Sequence, residues 1–237
     1  MLTQQIITAA QGKNGQDGGF SAVIANAKMF RLEGRKQVPN LASLEDALPQ
    51  ASKNKFNGNG PMVAFELMVD GQQGGFASLQ DVVDRLRQRH GGGGVFASKT
   101  PDEAAEHARW VFQGGGGMSP APHACCTLCV VRPHVVRDGG LGAVLSFVAE
   151  RGFQVTELQM IWLGETAAEE LLLPYRGVLA CHGEAVRHLK SGPSVALRIE
   201  GGDDVVEEFR EACGPADPEI ARALYPKSIR ALLGVHQ

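Results

Sequence analysis

The sequence predicts a mixed helix-and-strand chain folded as two tandem modules. Three observations carry that reading: a length of 237 residues, a helix–turn–strand pattern that occurs twice, and a glycine- and proline-rich stretch between the two copies. At 25.2 kDa the chain is long for one small domain and suits two of roughly 110 to 120 residues. The pattern first runs through amphipathic Leu2–Ala10, the Gly19-Phe20 turn and the apolar run Ala22–Leu32. It returns in Leu141–Ala149, Gly152-Phe153 and Val155–Leu163. Further on, Gly60-Pro-Met-Val-Ala-Phe-Glu66 is echoed by Gly192-Pro-Ser-Val-Ala-Leu-Arg198, with Gly, Pro, Val and Ala in register. Two echoes in the same order argue for a repeat and against chance.

Each module therefore reads helix, strand, helix, strand, helix. In both, the Gly-Pro pair fixes a turn and the residues after it form a strand. Gly114–Gly117, continuing through Met118-Ser-Pro-Ala-Pro122, has the composition of a flexible linker. The expected boundaries are a first module over 1–113, a linker over 114–124 and a second module over 125–237. The second module opens with an extra strand, Cys126–Val131, that has no counterpart in the first. The first module is thus expected to be degenerate, lacking its first strand. After the strand Val195–Glu200 come a helix over Val205–Ala212 and a short helix over Ile220–Leu224. The latter starts at the Asp217-Pro218 signal and closes near Pro226.

Composition narrows the functions. With 23 basic against 26 acidic residues the formal charge is −3, so no bulk positive field holds a nucleic acid. No apolar run reaches the roughly 18 residues that cross a bilayer, and no basic segment precedes an apolar one at the start. A soluble intracellular chain with no membrane partner is expected. Five cysteines, three of them at Cys125, Cys126 and Cys129, suit a reducing compartment. The Cys126–Cys129 spacing, with His123 and His134 nearby, raises a zinc site. A structural zinc site needs a second ligand pair, which does not follow, so the cysteines are read as small apolar residues of a strand. The ending Leu233-Gly-Val-His-Gln237 carries no polar tail, and a fragment of a longer protein is expected.

Standard phosphate-binding signatures are missing. There is no G-x-x-x-x-G-K-[ST], and Gly140-Leu-Gly-Ala-Val-Leu145 lacks the third glycine of a dinucleotide fingerprint. What remains is a set of single cations, Arg132, Arg210 and Arg230. Taken one at a time, each reads as a solvated surface arginine; together they offer planar, paired donors for phosphate oxygens.

In order along the chain, the second half carries Arg132-Pro-His134, Leu141-Gly142, Gly152-Phe153, Ser191-Gly-Pro193, Arg210, Gly214-Pro-Ala-Asp-Pro218 and Pro226-Lys-Ser-Ile-Arg230. This ordered set, spanning Cys125 to Gly234, resembles the nucleoside diphosphate kinase family, and within it a two-module ciliary branch. The first half resembles the preceding module more faintly, through Gly19-Phe20, Gly60-Pro61 and Ser98–Ala105. The resemblance implies an α+β, ferredoxin-like antiparallel sheet with helices on its faces. It also implies phosphate transfer between nucleoside di- and triphosphates through a histidine, with Mg²⁺ bridging the phosphates. By the same resemblance Arg132 stands where the family has a lysine near the transferred phosphate. Arg210 and Arg230 stand at two phosphate-binding arginines, His134 stands at the rim of the site, and Gly214–Arg230 corresponds to the loop that closes over the nucleotide.

The departures from the pattern carry as much meaning. The family's histidine belongs to an Asn-x-x-His segment that would fall beyond Gln237, and His236 comes too early for it. In the first module the segment Val95-Phe96-Ala97 before Ser98 places an apolar residue where the resemblance calls for the histidine. There the closing loop has shrunk to Gly91–Gly94, with His90 as a poor substitute. Ala216 replaces a phosphate-touching threonine, and the base-stacking aromatic falls near Cys181 or His182. No catalytic residue is therefore assigned, and the 237-residue chain is expected to lack phosphohistidine-dependent activity. The ciliary resemblance implies a second role, that of a structural part of doublet microtubules. Its partners would be tubulin or axonemal proteins, and its place the cytoplasm and cilium. His182 and His188, six residues apart, fall on different faces of a helix and read as surface residues. His107 reads as a packing residue of its helix, and Cys213 as a buried helix end.

Overall fold

The structure, a computed structural model, describes residues 22–31, 61–69, 75–89, 94–113, 125–179 and 181–235. The expected Leu2–Ala10 helix, the Gly19-Phe20 turn, His90, His236 and the glycine linker lie outside them. The chain divides into two compact units, one over Leu2–Pro120 and one over Ala121–Gln237.

In the first unit β1 (Ala22–Arg31) and β2 (Pro61–Val69) pair antiparallel, from Ala22 opposite Val69 to Arg31 opposite Pro61. The register slips between Ile24 and Asn26. An extra residue resets the alternation of faces, and burial follows: Ala22 and Ile24 are buried before the slip, Ala27 after it. Phe30 packs on Val111 and meets Trp110 edge to face, centroids 6.0 Å apart. Helix α1 (Gly75–Arg89) buries Val83 and Leu86 against Val95. Helix α2 (Pro101–Ala108) starts where Thr100 Oγ1 accepts from the Glu103 amide at 3.2 Å and Glu103 Oε2 accepts from the Lys99 amide at 2.7 Å. These bonds satisfy donors that the first turn would leave unpaired. The helix then loosens into a π turn over Arg109–Gln113.

The second unit runs β3 (Cys126–Val131), α3 (Pro133–Arg137), α4 (Leu141–Glu150), β4 (Gln154–Ile161), α5 (Glu165–Leu172) and a 3₁₀ turn over Leu173–Tyr175. It continues with α6 (His182–Leu189), β5 (Ser194–Glu200), α7 (Val205–Cys213), α8 (Pro218–Leu224) and α9 (Ile229–Leu233). Strand β5 is antiparallel to both β3 and β4. Consequently β3 and β4 are parallel with β5 between them, the split arrangement of a ferredoxin-like α+β sheet.

A central strand must be covered on both faces, and its sequence shows it. Val195, Leu197 and Ile199 are fully buried, and Ser194 and Arg198 on the alternate face are buried as well. Helix α4 supplies a stripe of Leu141, Val144, Leu145 and Val148, and α7 one of Val205, Phe209 and Ala212. Both follow helical spacing, and Phe153 meets Phe209 edge to face at 5.3 Å. A separate cluster joins α5 to α6 through Ala168, Leu172, Ala185, Val186 and Leu189. The Gly152-Phe153 turn requires its glycine, which sits at φ +82°.

Removing buried methyl groups from β5 costs both transfer energy and the cavity left behind. Leu197→Ala is expected to destabilise the second unit by about 2–5 kcal/mol, read as a lower urea midpoint at unchanged slope. Val178→Ala, at a site 81% exposed, should stay within about 0.5 kcal/mol; equal losses from both substitutions would contradict a core centred on β5.

Candidate functional site

Arg132 ends β3 and caps α3 with extended backbone, φ −75° and ψ 159°. Pro133 imposes this, because a residue before proline is pushed out of the helical region. Burial first, and the Arg230 guanidinium second, hold the Arg132 pKa below the ordinary arginine value, with Cys181 opposing. An arginine remains charged under such a shift. The exposed Arg230 guanidinium thus lies near enough to act on the half-buried Arg132.

Arg230 owes its position to a chain of local requirements. Helix α9 is capped by Ser228, whose Oγ accepts from the Ala231 amide at 3.3 Å. Ser228 is buried and fits against Gly214, where φ is +78°. A β-carbon on Gly214 would strike the Ser228 side chain, so glycine is needed for both the angle and the space. Arg230 Nη1 donates to the Gly214 carbonyl, and Arg222 Nη2 donates to the Gly234 carbonyl at 2.5 Å. Arg151 secures the same segment to the end of α4: Nη2 donates to the Lys227 carbonyl at 2.8 Å while the guanidinium lies 4.7 Å above the Phe147 ring.

Two thiols face Arg230. Burial, with Cys213 adding to it, pushes Cys129 up to about 12, and burial raises Cys213 as well; Arg230 opposes both shifts. Both thiols stay protonated at neutral pH and place no negative charge beside the arginine.

His134 lies inside the unit. It is 8% exposed, with Nδ1 3.1 Å from His188 Nε2 and Nε2 3.4 Å from the Leu233 carbonyl oxygen. The rings are tilted by 36° with centroids 4.9 Å apart. Burial is the main reason both pKa values fall, His188 to about 4; His134, Arg132 and Arg137 add to the His188 shift. Two neutral imidazoles then assign the hydrogens by elimination: His134 Nε2–H donates to Leu233, and Nδ1 accepts from His188 Nε2–H. The surface position expected for His188 is corrected, because α6 turns it inward to meet α3. His182 departs in the same way, its Nε2 being buried with no partner among the described residues.

Of the expected site residues, Arg230 lies near enough to act on Arg132, and Arg132 in turn acts on His134. Arg210 is exposed on the last turn of α7, where its carbonyl accepts from the Gly214 amide at 3.2 Å; the described contacts do not join it to the other two. A cleft of about 240 Å³ lies beside the loop, lined among others by Arg151, Glu211, Tyr225 and Lys227. Neither Arg132 nor Arg230 lines it, so the candidate site is placed at the arginines. Among the described residues, no three His, Cys, Asp or Glu side chains come together to hold a metal ion. Sequence reasoning missed Cys129 and Cys213 as neighbours of Arg230, and His188 as the partner of His134. No local signal marks these pairings.

A profile of the family described as "Nucleoside diphosphate kinase" matches residues 126–237. Nucleoside diphosphate kinase homolog 7 of Mus musculus is 35% identical over 197 residues, covering 76% of this chain and 50% of that protein. The nucleoside diphosphate kinase of Aquifex aeolicus is 37% identical over 108 residues, covering 46% of this chain and 75% of the enzyme. An orthorhombic crystal structure of the Aquifex aeolicus enzyme matches with a TM-score of 0.43 at 36% identity, over 46% of this chain and 77% of that one. The chain spans about half the length of the mouse and rat homolog 7 relatives. Against the shorter bacterial enzyme the match covers three quarters of the length at better than one-third identity, and on that ground the chain belongs to the nucleoside diphosphate kinase family.

Proposed function

We propose that the second unit binds the phosphates of nucleoside di- and triphosphates at Arg132 and Arg230, with Arg210 at the edge of the loop. The observation that carries this reading is that the Arg230 guanidinium acts on the half-buried Arg132 while burial keeps Cys129 and Cys213, the two thiols on which Arg230 acts, protonated. Repulsion between the two guanidiniums is a standing cost. A polyphosphate removes it and gains charge-assisted, paired hydrogen bonds that a lone carboxylate or sulfate matches less fully. His134, on which Arg132 acts, serves as a rigid support. Mg²⁺ would arrive on the phosphates, since arginines attract the anion and do not hold the ion; when bound, it neutralises phosphate charge.

Transfer of a phosphoryl group through the enzyme needs a nucleophilic imidazole. His134 uses both ring nitrogens in hydrogen bonds, and in the first unit Phe96, in the segment where the family resemblance calls for histidine, packs edge-on against His107 at 5.5 Å. The 237-residue chain is accordingly a binding module without phosphohistidine-dependent activity. A second reading is favoured by that same aromatic contact: modules retained for packing, as a structural part of ciliary doublet microtubules. Tubulin or axonemal proteins would be its partners, in the cytoplasm and cilium.

Calorimetry with ADP and Mg²⁺ should give a Kd on the order of micromolar, with a matching rise in Tm. Arg132→Ala and Arg230→Ala are each expected to weaken binding about 10- to 100-fold, the loss of hydrogen bonds to a charged group. Arg210→Ala should weaken it less, since its charge is fully hydrated. No thermal shift at millimolar ADP would favour the structural reading. Incubation of the 237-residue chain with γ-labelled ATP should leave no acid-labile label on the protein; label that is lost in acid and stable in base would overturn the absence of a nucleophile.

A further inference from the structure

We propose that Ser98, His107 and Glu103 form a nucleophilic serine site that takes small acyl groups from esters with good leaving groups. The site belongs to the first unit alone and goes beyond the nucleotide reading. Ser98 Oγ is 3.0 Å from His107 Nδ1. His107 Nε2 is 4.0 Å from Glu103 Oε1, and the two side chains are only 20% and 19% exposed. The other oxygen, Glu103 Oε2, accepts from the Lys99 amide at 2.7 Å, which holds the carboxylate in place. Gln80 of α1 donates from Nε2 to the Ser98 carbonyl at 2.7 Å and fixes the backbone that carries the hydroxyl.

These contacts decide where the hydrogens lie. A neutral imidazole carries one N–H. With a carboxylate facing Nε2, that nitrogen keeps the hydrogen, because a lone pair there would face a negative charge. Nδ1 is then the acceptor, and the Ser98 O–H donates to it. The serine proton thus already lies on the path along which a base removes it. The base is in turn oriented by a third group, the arrangement that activates a hydroxyl for attack. Helical spacing supplies half of it, since Glu103 and His107 are one turn apart on α2. The Phe96 ring meets the imidazole edge to face, centroids 5.5 Å apart, and limits its rotation. Capping of α2 does not require the Ser98 contact, because Thr100 and Glu103 satisfy that turn by themselves.

Ser98 is half-buried, whereas Lys99 and Thr100 beside it are exposed, so the site admits a short acyl group more readily than a bulky one. In the first step Oγ forms a bond to the ester carbonyl carbon while its proton passes to His107 Nδ1. The C–O bond to the leaving group then breaks, and that oxygen takes the proton from Nδ1. Water next attacks the acyl carbon and gives a proton to Nδ1. The bond to Oγ breaks, Ser98 recovers the proton, and the carboxylic acid departs. The balance closes without an oxidant or a reductant. Base assistance of this kind contributes roughly 10²- to 10⁴-fold, and with a good leaving group the acyl-serine accumulates before water clears it.

The full 237-residue chain incubated with p-nitrophenyl acetate, quenched in acid and mapped by peptide mass, should carry an acetyl group on Ser98 and release an initial burst of p-nitrophenolate. Ser98→Ala should abolish the burst, and His107→Gln, which removes the base, should slow acylation about 100-fold. Glu103→Gln keeps an oxygen for the Lys99 amide and loses the charge. It should slow acylation several-fold at unchanged Tm with the acetyl group still on Ser98, the behaviour of a positioning residue. Acetyl groups on lysines with none on Ser98, or equal acylation rates in the unaltered chain and in a folded His107→Gln, would overturn the site. Mass mapping of the unaltered chain keeps the test decisive should a variant fail to fold. ADP binding without acylation of Ser98 leaves the nucleotide reading standing and removes this one.

Discussion

The repulsion between Arg132 and Arg230 is the constraint around which the second unit is arranged. Like charges repel more strongly where water is displaced, and flexible side chains would relieve that by turning to solvent. Here each is held from behind. Pro133 fixes the backbone at Arg132, and burial keeps its side chain from swinging free. On the other side Ser228, Gly214 and the Gly214 carbonyl fix the start of α9. The close approach of Ser228 to Gly214 joins the end of α7 to the beginning of α9, so the loop between them cannot drift without breaking a cap. Such preorganisation reduces what a ligand must spend on ordering the site.

Burial sets the charge of the surroundings as well. It disfavours whichever form is ionised, so it keeps Cys129 and Cys213 as thiols and His134 and His188 as neutral rings. One physical effect thus removes negative charge from one side of the arginines and positive charge from the other. The field at the site is left to guanidiniums, which burial cannot discharge at physiological pH. The neutral imidazoles contribute geometry instead, linking α3, α6 and α9 through hydrogen bonds.

Much of this was legible in the sequence where the signal is local. The Gly-Pro strand starts, the stripes of α4 and α7, and the Asp217-Pro218 helix start all rest on spacing within a dozen residues. The short helices α3 and α9 were not anticipated, because five residues cannot display a period. Strand β4 was read too long: it stops at Ile161, and Trp162 is 71% exposed despite its apolar character. His188 was read as a surface residue because its partner lies 54 residues away. A contact of that separation leaves no mark on helical spacing, and nothing in α6 alone distinguishes an inward-facing histidine from a solvated one. The three arginines were picked out together, yet only tertiary structure separates the pair that converges from Arg210, which stays at the exposed end of its helix.

The relation between the two units is written in strand geometry more firmly than in residue identity. In the first unit the register slip of β1 falls opposite Glu66 and Leu67, the fifth and sixth residues after Pro61. In the second, the slip of β4 falls opposite Arg198 and Ile199, the fifth and sixth after Pro193. A bulge changes which face every later residue of its strand presents, so moving it would turn a buried set outward. Its position is therefore held by packing. Glu66 and Arg198 occupy equivalent places with opposite charge, and the buried Arg198 is paired with Glu157 at 3.4 Å. The two units thus share a strand frame, while the arginines proposed to hold phosphate lie in the second unit.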